Sequence, residues 1–117
     1  RFAMINVWRP IVGPVLQTPF AVIDAGSISK DDFIPIDLVY TDRVGQIYMV
    51  RDNPKHRWLY LSEMQDTEVM LLKCFDSDLA VPARFTAHSA FELPPPSVDA
   101  EPLPARQSIE VRTLAFY

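Results

Sequence analysis

The sequence predicts an all-β domain, a sandwich or jelly roll of short strands joined by irregular proline-rich loops. Of its 117 residues, 49% are hydrophobic, and 7 Phe, 4 Tyr and 2 Trp provide aromatic side chains for a core. The apolar runs are short, and hardly any of them repeats at the spacing of a helix. Eleven prolines separate these runs, and proline keeps a chain extended or turning. A single domain of packed strands fits these observations.

Five short runs with strand character occupy the first 61 residues, and turn-forming residues separate them. We predict strands over residues 2–8, 19–24, 36–40, 45–50 and 56–61. A polar turn over residues 41–45 joins the third and fourth strands, so these two should form a hairpin. Before that hairpin, Ser27 or Ser29 is placed to cap a single helical turn, because a serine hydroxyl accepts from a free backbone amide.

The longest apolar run, residues 68–75, predicts a buried central strand. Residues 84–91 form another apolar strand, which carries His88. The segment 93–104 predicts a loop, because proline cannot donate to a strand ladder. Residues 108–116 alternate at the period of a strand. In this final strand we expect two faces, an inward one with Ile109, Val111 and Thr113, and an opposite one with Glu110 and Arg112.

Composition disfavours several classes of partner. The net charge of −4 and the isoelectric point near 5.0 argue against nucleic acid and against an anionic membrane surface, because phosphate binding requires a basic face. No apolar run approaches the length of a membrane span. The single Cys74 lies in an apolar run and indicates a packed thiol in a reducing compartment, so we expect a cytoplasmic protein.

A histidine with a downstream Arg-x-Ser is the most informative motif. Arg106 follows His88 by 18 positions, and Ser108 lies two residues further on. Imidazole is a good ligand for ferrous iron, while a guanidinium binds a carboxylate through two parallel hydrogen bonds and a hydroxyl can add a third. This pattern is typical of iron(II) and 2-oxoglutarate oxygenases. On these residues alone, a core or surface histidine and a solvated loop arginine remain the alternative.

The remaining metal ligands of such a site are absent from the sequence. A 2-His-1-carboxylate site needs a second histidine and a carboxylate, usually as His-x-Asp or His-x-Glu, and neither triplet occurs. The other histidine, His56, follows Asp52 by four residues, but Pro54 between them prevents the helical geometry that would put both on one face. We interpret His56 as structural or substrate-facing, so the chain carries half of an active site.

Five sequence blocks resemble, in the same order, a family of fungal and bacterial non-haem oxygenases that includes gibberellin desaturase-like proteins and the cephamycin pathway hydroxylase component. The blocks are residues 5–10, 53–58, 73–77, 88–91 and 106–112. The resemblance covers residues 6–116 and is to the C-terminal half of these proteins. It implies a double-stranded β-helix, the chemistry of iron(II), 2-oxoglutarate and O2, and hydroxylation or desaturation in secondary metabolism. Residues 1–117 are then one domain, the C-terminal half of a larger oxygenase fold.

The resemblance implies roles for three residues near the end of the chain. His88 matches a metal ligand, Arg106 the group that holds the distal carboxylate of 2-oxoglutarate, and Ser108 the hydroxyl that assists it. No acid, base or nucleophile is implied. The missing His-x-Asp would come from a second chain or segment that supplies the N-terminal half.

The resemblance also places three residues of the first strand near the substrate. Asn6 is expected as a hydrogen-bond donor to cosubstrate or substrate, and Trp8 as a wall of the cavity, although core packing is the simpler explanation for Trp8. Arg9 would neutralise a carboxylate of the substrate, against the alternative of a solvated strand end.

Three functions are open on the sequence. The first is an oxygenase of a small-molecule substrate that another segment completes. The second is a non-catalytic β-sandwich module, or an inactive fragment, that binds a partner or a small ligand. A sugar-binding jelly roll is a weaker third, because no carboxylate cluster suited to calcium accompanies the aromatic residues.

Overall fold

Eight β-strands and two single 3-10 turns make up the regular structure of residues 1–94 and 101–117, the part of the chain that the computed structural model describes. The strands are β1 (Phe2–Pro10), β2 (Phe20–Ile23), β3 (Phe33–Val39), β4 (Val44–Val50), β5 (Trp58–Tyr60), β6 (Met70–Asp76), β7 (His88–Ala90) and β8 (Ser108–Phe116). The all-β prediction is therefore confirmed. The predicted loop 93–104 includes residues 95–100, which lie outside the described part.

The strands form two three-stranded antiparallel sheets and a separate hairpin. The first sheet has the order β6-β1-β8, the second β5-β2-β7, and β3 pairs with β4 alone. The hairpin prediction is confirmed. The prediction that residues 68–75 form the central strand is wrong, because β1 takes the central place and pairs with β6 on one side and β8 on the other.

The core lies between the two sheets. Trp8, Val15, Met64 and Leu72 are buried together, and Phe20 of the second sheet packs against them. The rings of Trp8 and Phe20 are stacked with their centroids 5.1 Å apart. A stacked aromatic pair adds to the gain from burying both side chains, so this contact joins the sheets. The core packing expected for Trp8 is present.

Short capped turns connect the second sheet to the hairpin. Asp24 caps the turn Ala25–Ser27, and Ser29 caps the turn Lys30–Asp32 in a capping box in which Asp32 accepts from the Ser29 amide. Of the two serines that the sequence proposed as caps, Ser29 has this role.

The inner and outer faces of β8 are the reverse of the prediction. Glu110 pairs with Trp8 and Arg112 pairs with Asn6, and residues directly opposite each other in an antiparallel pair share a face. Glu110 and Arg112 therefore lie on the inner face with the buried Trp8. Ile109 and Val111 lie on the outer face, where they are 54% and 57% exposed. Alternation sets the period of a strand but does not say which face meets the core.

A buried carboxylate holds the end of β6 to the start of the chain. Asp76 accepts hydrogen bonds from Arg1 Nη2 at 3.0 Å, from Lys73 Nζ at 3.0 Å and from the Asp78 amide at 3.0 Å. Arg1 first, and then the Asp78 amide and Lys73, hold the pKa of Asp76 far below its usual range. Three donors and little solvent make the ionised form the stable one.

The substitution Asp76→Asn should lower the denaturation temperature by several degrees at pH 7. Because the folded pKa is depressed, the stabilisation is present above the unfolded value near pH 4 and is lost as the pH falls below it. Thermal unfolding by circular dichroism at pH 7 and pH 3 measures both effects, with Asp37→Asn on the exposed hairpin as the control. Equal stabilities of wild type and variant at pH 7 would show that the ion pairs contribute nothing.

Candidate active site

A cavity of about 590 Å³ lies beside β7, between the inner face of the first sheet and the β3–β4 hairpin. Apolar side chains dominate its wall, among them Met4, Ile47, Val50, Phe75 and Phe85. The polar and ionisable groups that line it include His88, Arg112, Gln46 and Cys74. A mostly apolar pocket with a few polar groups is the usual form of a small-molecule site.

His88 opens β7 opposite Val22 and has one ring nitrogen free. Its Nδ1 lies 2.8 Å from the carbonyl oxygen of Thr86. Since a carbonyl can only accept, Nδ1 is the donor, and in the neutral imidazole the lone pair then lies on Nε2. A metal-binding histidine is commonly oriented by this kind of bond from its other nitrogen. The chemistry of His88 therefore fits a metal ligand.

A column of stacked groups connects His88 with two other predicted site residues. The rings of His88 and Phe20 have centroids 5.1 Å apart, and Phe20 stacks in turn on Trp8. On the Trp8 ring lies the guanidinium of Arg106, with its central carbon 5.5 Å from the ring centroid. The structure thus brings His88, Trp8 and Arg106 into one column, in which Trp8 is buried, Arg106 is half-buried and His88 is exposed.

Arg106 is half-buried and has donors to spare. Its Nη1 donates to the carbonyl oxygen of Thr18, whereas a guanidinium has five N–H groups. Ser108 lies two residues further on, at the start of β8 opposite Pro10, and is also half-buried. Residues two apart on an extended chain point to the same side, so Arg106 and Ser108 can contact the same carboxylate.

Asn6 lies in the interior of the first sheet at 2% exposure. Its Nδ2 donates to Glu110 Oε2 at 2.9 Å, and its Oδ1 has no hydrogen-bond partner within the described residues. Because the carboxylate can only accept, the free atom of this amide is an acceptor. Asn6 thus already uses one donor within the protein.

Arg9 lies apart from the other predicted site residues. It follows Trp8 on β1, and successive side chains of a strand point to opposite faces. Arg9 is exposed opposite Ile109, and its Nε donates to the carbonyl oxygen of Pro10 at 3.3 Å. The structure does not bring it to the cavity.

His56 has a structural environment. Its side chain is buried, with Nε2 3.0 Å from Asp32 Oδ2, and Asn53 also donates to Asp32. His56 first, followed by the Ser29 amide and Asn53, lowers the pKa of Asp32. The predicted strand over residues 56–61 is shorter, so His56 lies before β5 rather than on one face with Trp58 and Tyr60. These hydrogen bonds connect the residues just before β3 with the loop that precedes β5.

Arg112 is the cavity residue that sequence reasoning missed. The prediction placed it on the outer face of β8, yet it lines the cavity with His88. Every second residue of a strand shares a face, and Arg112 lies an even number of residues after Ser108 and Arg106. This spacing could have placed Arg112 on the same side of the chain as those two residues.

The sequence of this chain matches a known protein family. A family model described as an oxidoreductase/YMDC permease-like domain, named YDMC, matches residues 1–116. The chain belongs to this family. Within 1–94 and 101–117, the YDMC chain has no helix long and apolar enough to span a membrane.

This chain is similar to several fungal proteins. It is 38% identical over 120 residues to aspirochlorine biosynthesis protein N of Aspergillus oryzae, which covers 100% of this chain and 49% of the relative. It is 37% identical to the Fe(II)/2-oxoglutarate-dependent dioxygenase nvfI of Aspergillus novofumigatus, over 99% of this chain and 41% of the relative. It is also 37% identical to the hydroxylase/desaturase efuI of Hormonema carpetanum, over 100% of this chain and 41% of the relative. The YDMC chain spans less than half the length of each.

A solved structure shares the fold. The YDMC chain superposes on the iron and alpha-ketoglutarate-dependent endoperoxidase NvfI with a TM-score of 0.85 and 37% sequence identity, over 98% of this chain and 42% of that one. The jelly-roll prediction is confirmed, as is the resemblance to iron(II)/2-oxoglutarate oxygenases and hydroxylase/desaturases.

Proposed function

We propose that this chain forms the C-terminal half of an iron(II)- and 2-oxoglutarate-dependent oxygenase that hydroxylates or desaturates a small molecule of secondary metabolism. The observation that carries the proposal is the free Nε2 of His88 at the wall of the apolar cavity, held by the bond from Nδ1 to Thr86. The names of the relatives support the same reaction class. A free, half-buried Cys74 supports a reducing compartment, and we place the protein in the cytoplasm.

Each group has a separate task in this proposal. His88 would hold ferrous iron through Nε2, and Arg106 with Ser108 would hold the distal carboxylate of 2-oxoglutarate. The apolar cavity wall orients the substrate and excludes water from it. Bound iron supplies the activation of O2 for the oxidation.

A second chain or segment would supply the missing His-x-Asp and the rest of the fold. Within the described part, both outer strands of each three-stranded sheet, β6 and β8 in the first and β5 and β7 in the second, pair on one side only. The outer face of the first sheet also exposes Ile109 and Val111. Open edges and apolar faces favour association, and a completing segment would cover both.

The alternative function is a non-catalytic β-sandwich that binds a partner or a small ligand. One observation favours it: no group of three His, Cys, Asp or Glu side chains able to hold a metal occurs in the residues that the structure describes. A single imidazole competes poorly with water for iron, so the chain alone would not retain the metal.

Native mass spectrometry with metal analysis on the same sample tests the proposal. We expect one iron per copy of the chain when it is joined to a polypeptide that carries His-x-Asp. We expect His88→Ala to reduce the iron to background while circular dichroism stays unchanged, because His88 is exposed and its loss leaves no large void.

The matched comparison for His88 is His56→Gln, the only other histidine of the chain. It should keep the iron, since His56 is occupied by Asp32. A metal-free, well-behaved monomer that acquires no iron with any His-x-Asp segment would establish the binding module instead. Iron that persists in His88→Ala would remove the metal-ligand assignment.

A further inference from the structure

Two arginines near the first sheet, Arg106 just before β8 and Arg112 on its inner face, lie in different regions of the molecule. Arg106 packs on Trp8, and Arg112 lines the cavity that contains His88. Arg106 lies two residues before β8 and Arg112 six positions further along the chain, and the Ile11 amide donates to the Gln107 carbonyl oxygen, which extends the β1–β8 pairing toward Arg106. Extended chain rises about 3.3 Å per residue, so the two backbones are roughly 20 Å apart, too far for one small carboxylate to be held by both.

The guanidinium of Arg112 has donors that the protein does not use. It makes no hydrogen bond to any other described residue, and its nearest carboxylate oxygen, Glu110 Oε1, is 3.9 Å away. The other oxygen of Glu110 accepts from Asn6. With 61% of its side chain exposed, Arg112 is open to a ligand in the cavity.

A second polar group near this position also lacks a partner. Asn6 stands opposite Arg112 in the β1–β8 ladder, and its Oδ1 is buried without a donor within the described residues. An unpartnered buried acceptor is costly, and a ligand hydroxyl or an ordered water is the usual remedy. The β1–β8 pair therefore offers free guanidinium donors, on an arginine whose one ion pair is the long and exposed contact with Glu110, and a buried acceptor without a donor at adjacent positions.

We propose that Arg112 binds the carboxylate of an otherwise apolar small-molecule substrate. This inference rests on the proposed function, in which Arg106 holds the carboxylate of 2-oxoglutarate. A guanidinium is suited to a carboxylate because it can form two parallel hydrogen bonds. The body of the substrate is apolar because Met4, Ile47 and Phe85 form much of the remaining wall. Arg112 thereby sets specificity rather than taking part in the oxidation.

Binding of two matched probes tests the proposal without any turnover. The probes are 1-adamantanecarboxylate and the neutral 1-adamantanemethanol, which share a rigid apolar body that a cavity of about 590 Å³ admits. By isothermal titration calorimetry, the protein should bind the carboxylate at least tenfold more tightly than the alcohol. Arg112→Gln should abolish that preference, and Arg112→Lys should restore part of it, because lysine keeps the charge but not the planar pair of donors.

The competing assignment is Arg9, the residue that the sequence suggested for a substrate carboxylate. Arg9→Gln should leave the preference intact, because Arg9 lies on the outer face of the sheet. Equal binding of the two probes by the wild type would overturn the proposal. So would a preference that survives in Arg112→Gln or disappears in Arg9→Gln.

Titration of 2-oxoglutarate separates this inference from the proposed function. Arg112→Gln should bind 2-oxoglutarate as the wild type does. If it loses the cosubstrate and keeps the adamantane preference, Arg112 is the cosubstrate arginine and the inference is wrong. If the wild type binds no 2-oxoglutarate but prefers the adamantane carboxylate through Arg112, the carboxylate site stands and the proposed oxygenase fails.

Discussion

Replacing Trp8 with alanine will lower the free energy of unfolding by about 3–5 kcal/mol, the cost usual for removing a large aromatic side chain from a core. Trp8 is 3% exposed, stacks on Phe20 and supports the guanidinium of Arg106. Its loss leaves a cavity at the contact between the two sheets. Urea denaturation followed by far-ultraviolet circular dichroism measures the change, because this signal comes mainly from the peptide backbone, whereas tryptophan fluorescence would be altered by the substitution itself.

The other tryptophan of the chain provides the control. Trp58 is 42% exposed on the outer side of the second sheet, so Trp58→Ala should cost less than about half as much. Equal losses for the two variants would mean that the Trp8–Phe20 contact does not hold the sheets together. The description of the core would then need revision.

Arg106→Ala will weaken the binding of 2-oxoglutarate by about 1.5 to 3.5 orders of magnitude, which corresponds to the roughly 2–5 kcal/mol typical of truncating one partner of a buried charge pair. Within the described residues this guanidinium makes one hydrogen bond, to Thr18, and one ring contact, with Trp8. The fold should therefore persist in the variant. Calorimetric titration of 2-oxoglutarate into the assembled, iron-loaded protein measures the effect.

Arg106→Lys distinguishes charge from geometry. Lysine retains the positive charge but offers a single point of contact, so it should recover only part of the affinity. Unchanged binding in Arg106→Ala would remove the cosubstrate assignment from this residue. Because Arg112→Gln is expected to leave cosubstrate binding intact, the two arginines provide controls for each other.

Local patterns predicted the individual strands, whereas the order of the strands depends on distant pairing. The run that becomes β1 and the hairpin β3–β4 were recognisable because apolar stretches and polar turns are adjacent in sequence. The central position of β1 was not, because it results from pairing with β6 and β8, which lie more than 60 residues away. The longest apolar run became an edge strand of the described sheet.

A sequence motif led to His88 and Arg106, whose roles stay predictions, whereas the place of Arg112 depends on which face of β8 meets the core. His88 and Arg106 belong to a recognisable pattern, and the structure joins them through Trp8 and Phe20. Arg112 was assigned to the outer face because Ile109 and Val111 look like core residues. Both faces of β8 are in part apolar, so hydrophobicity alone could not choose between them.

The separate hairpin has a consequence for how such proteins diversify. Gln46, Ile47 and Tyr48 of β4 line the cavity, yet β3 and β4 share no ladder with either sheet in the described residues. Mutations on this ribbon can therefore reshape the cavity with little cost to the two three-stranded sheets. Selection for a new ligand can act on the hairpin while these sheets are inherited unchanged.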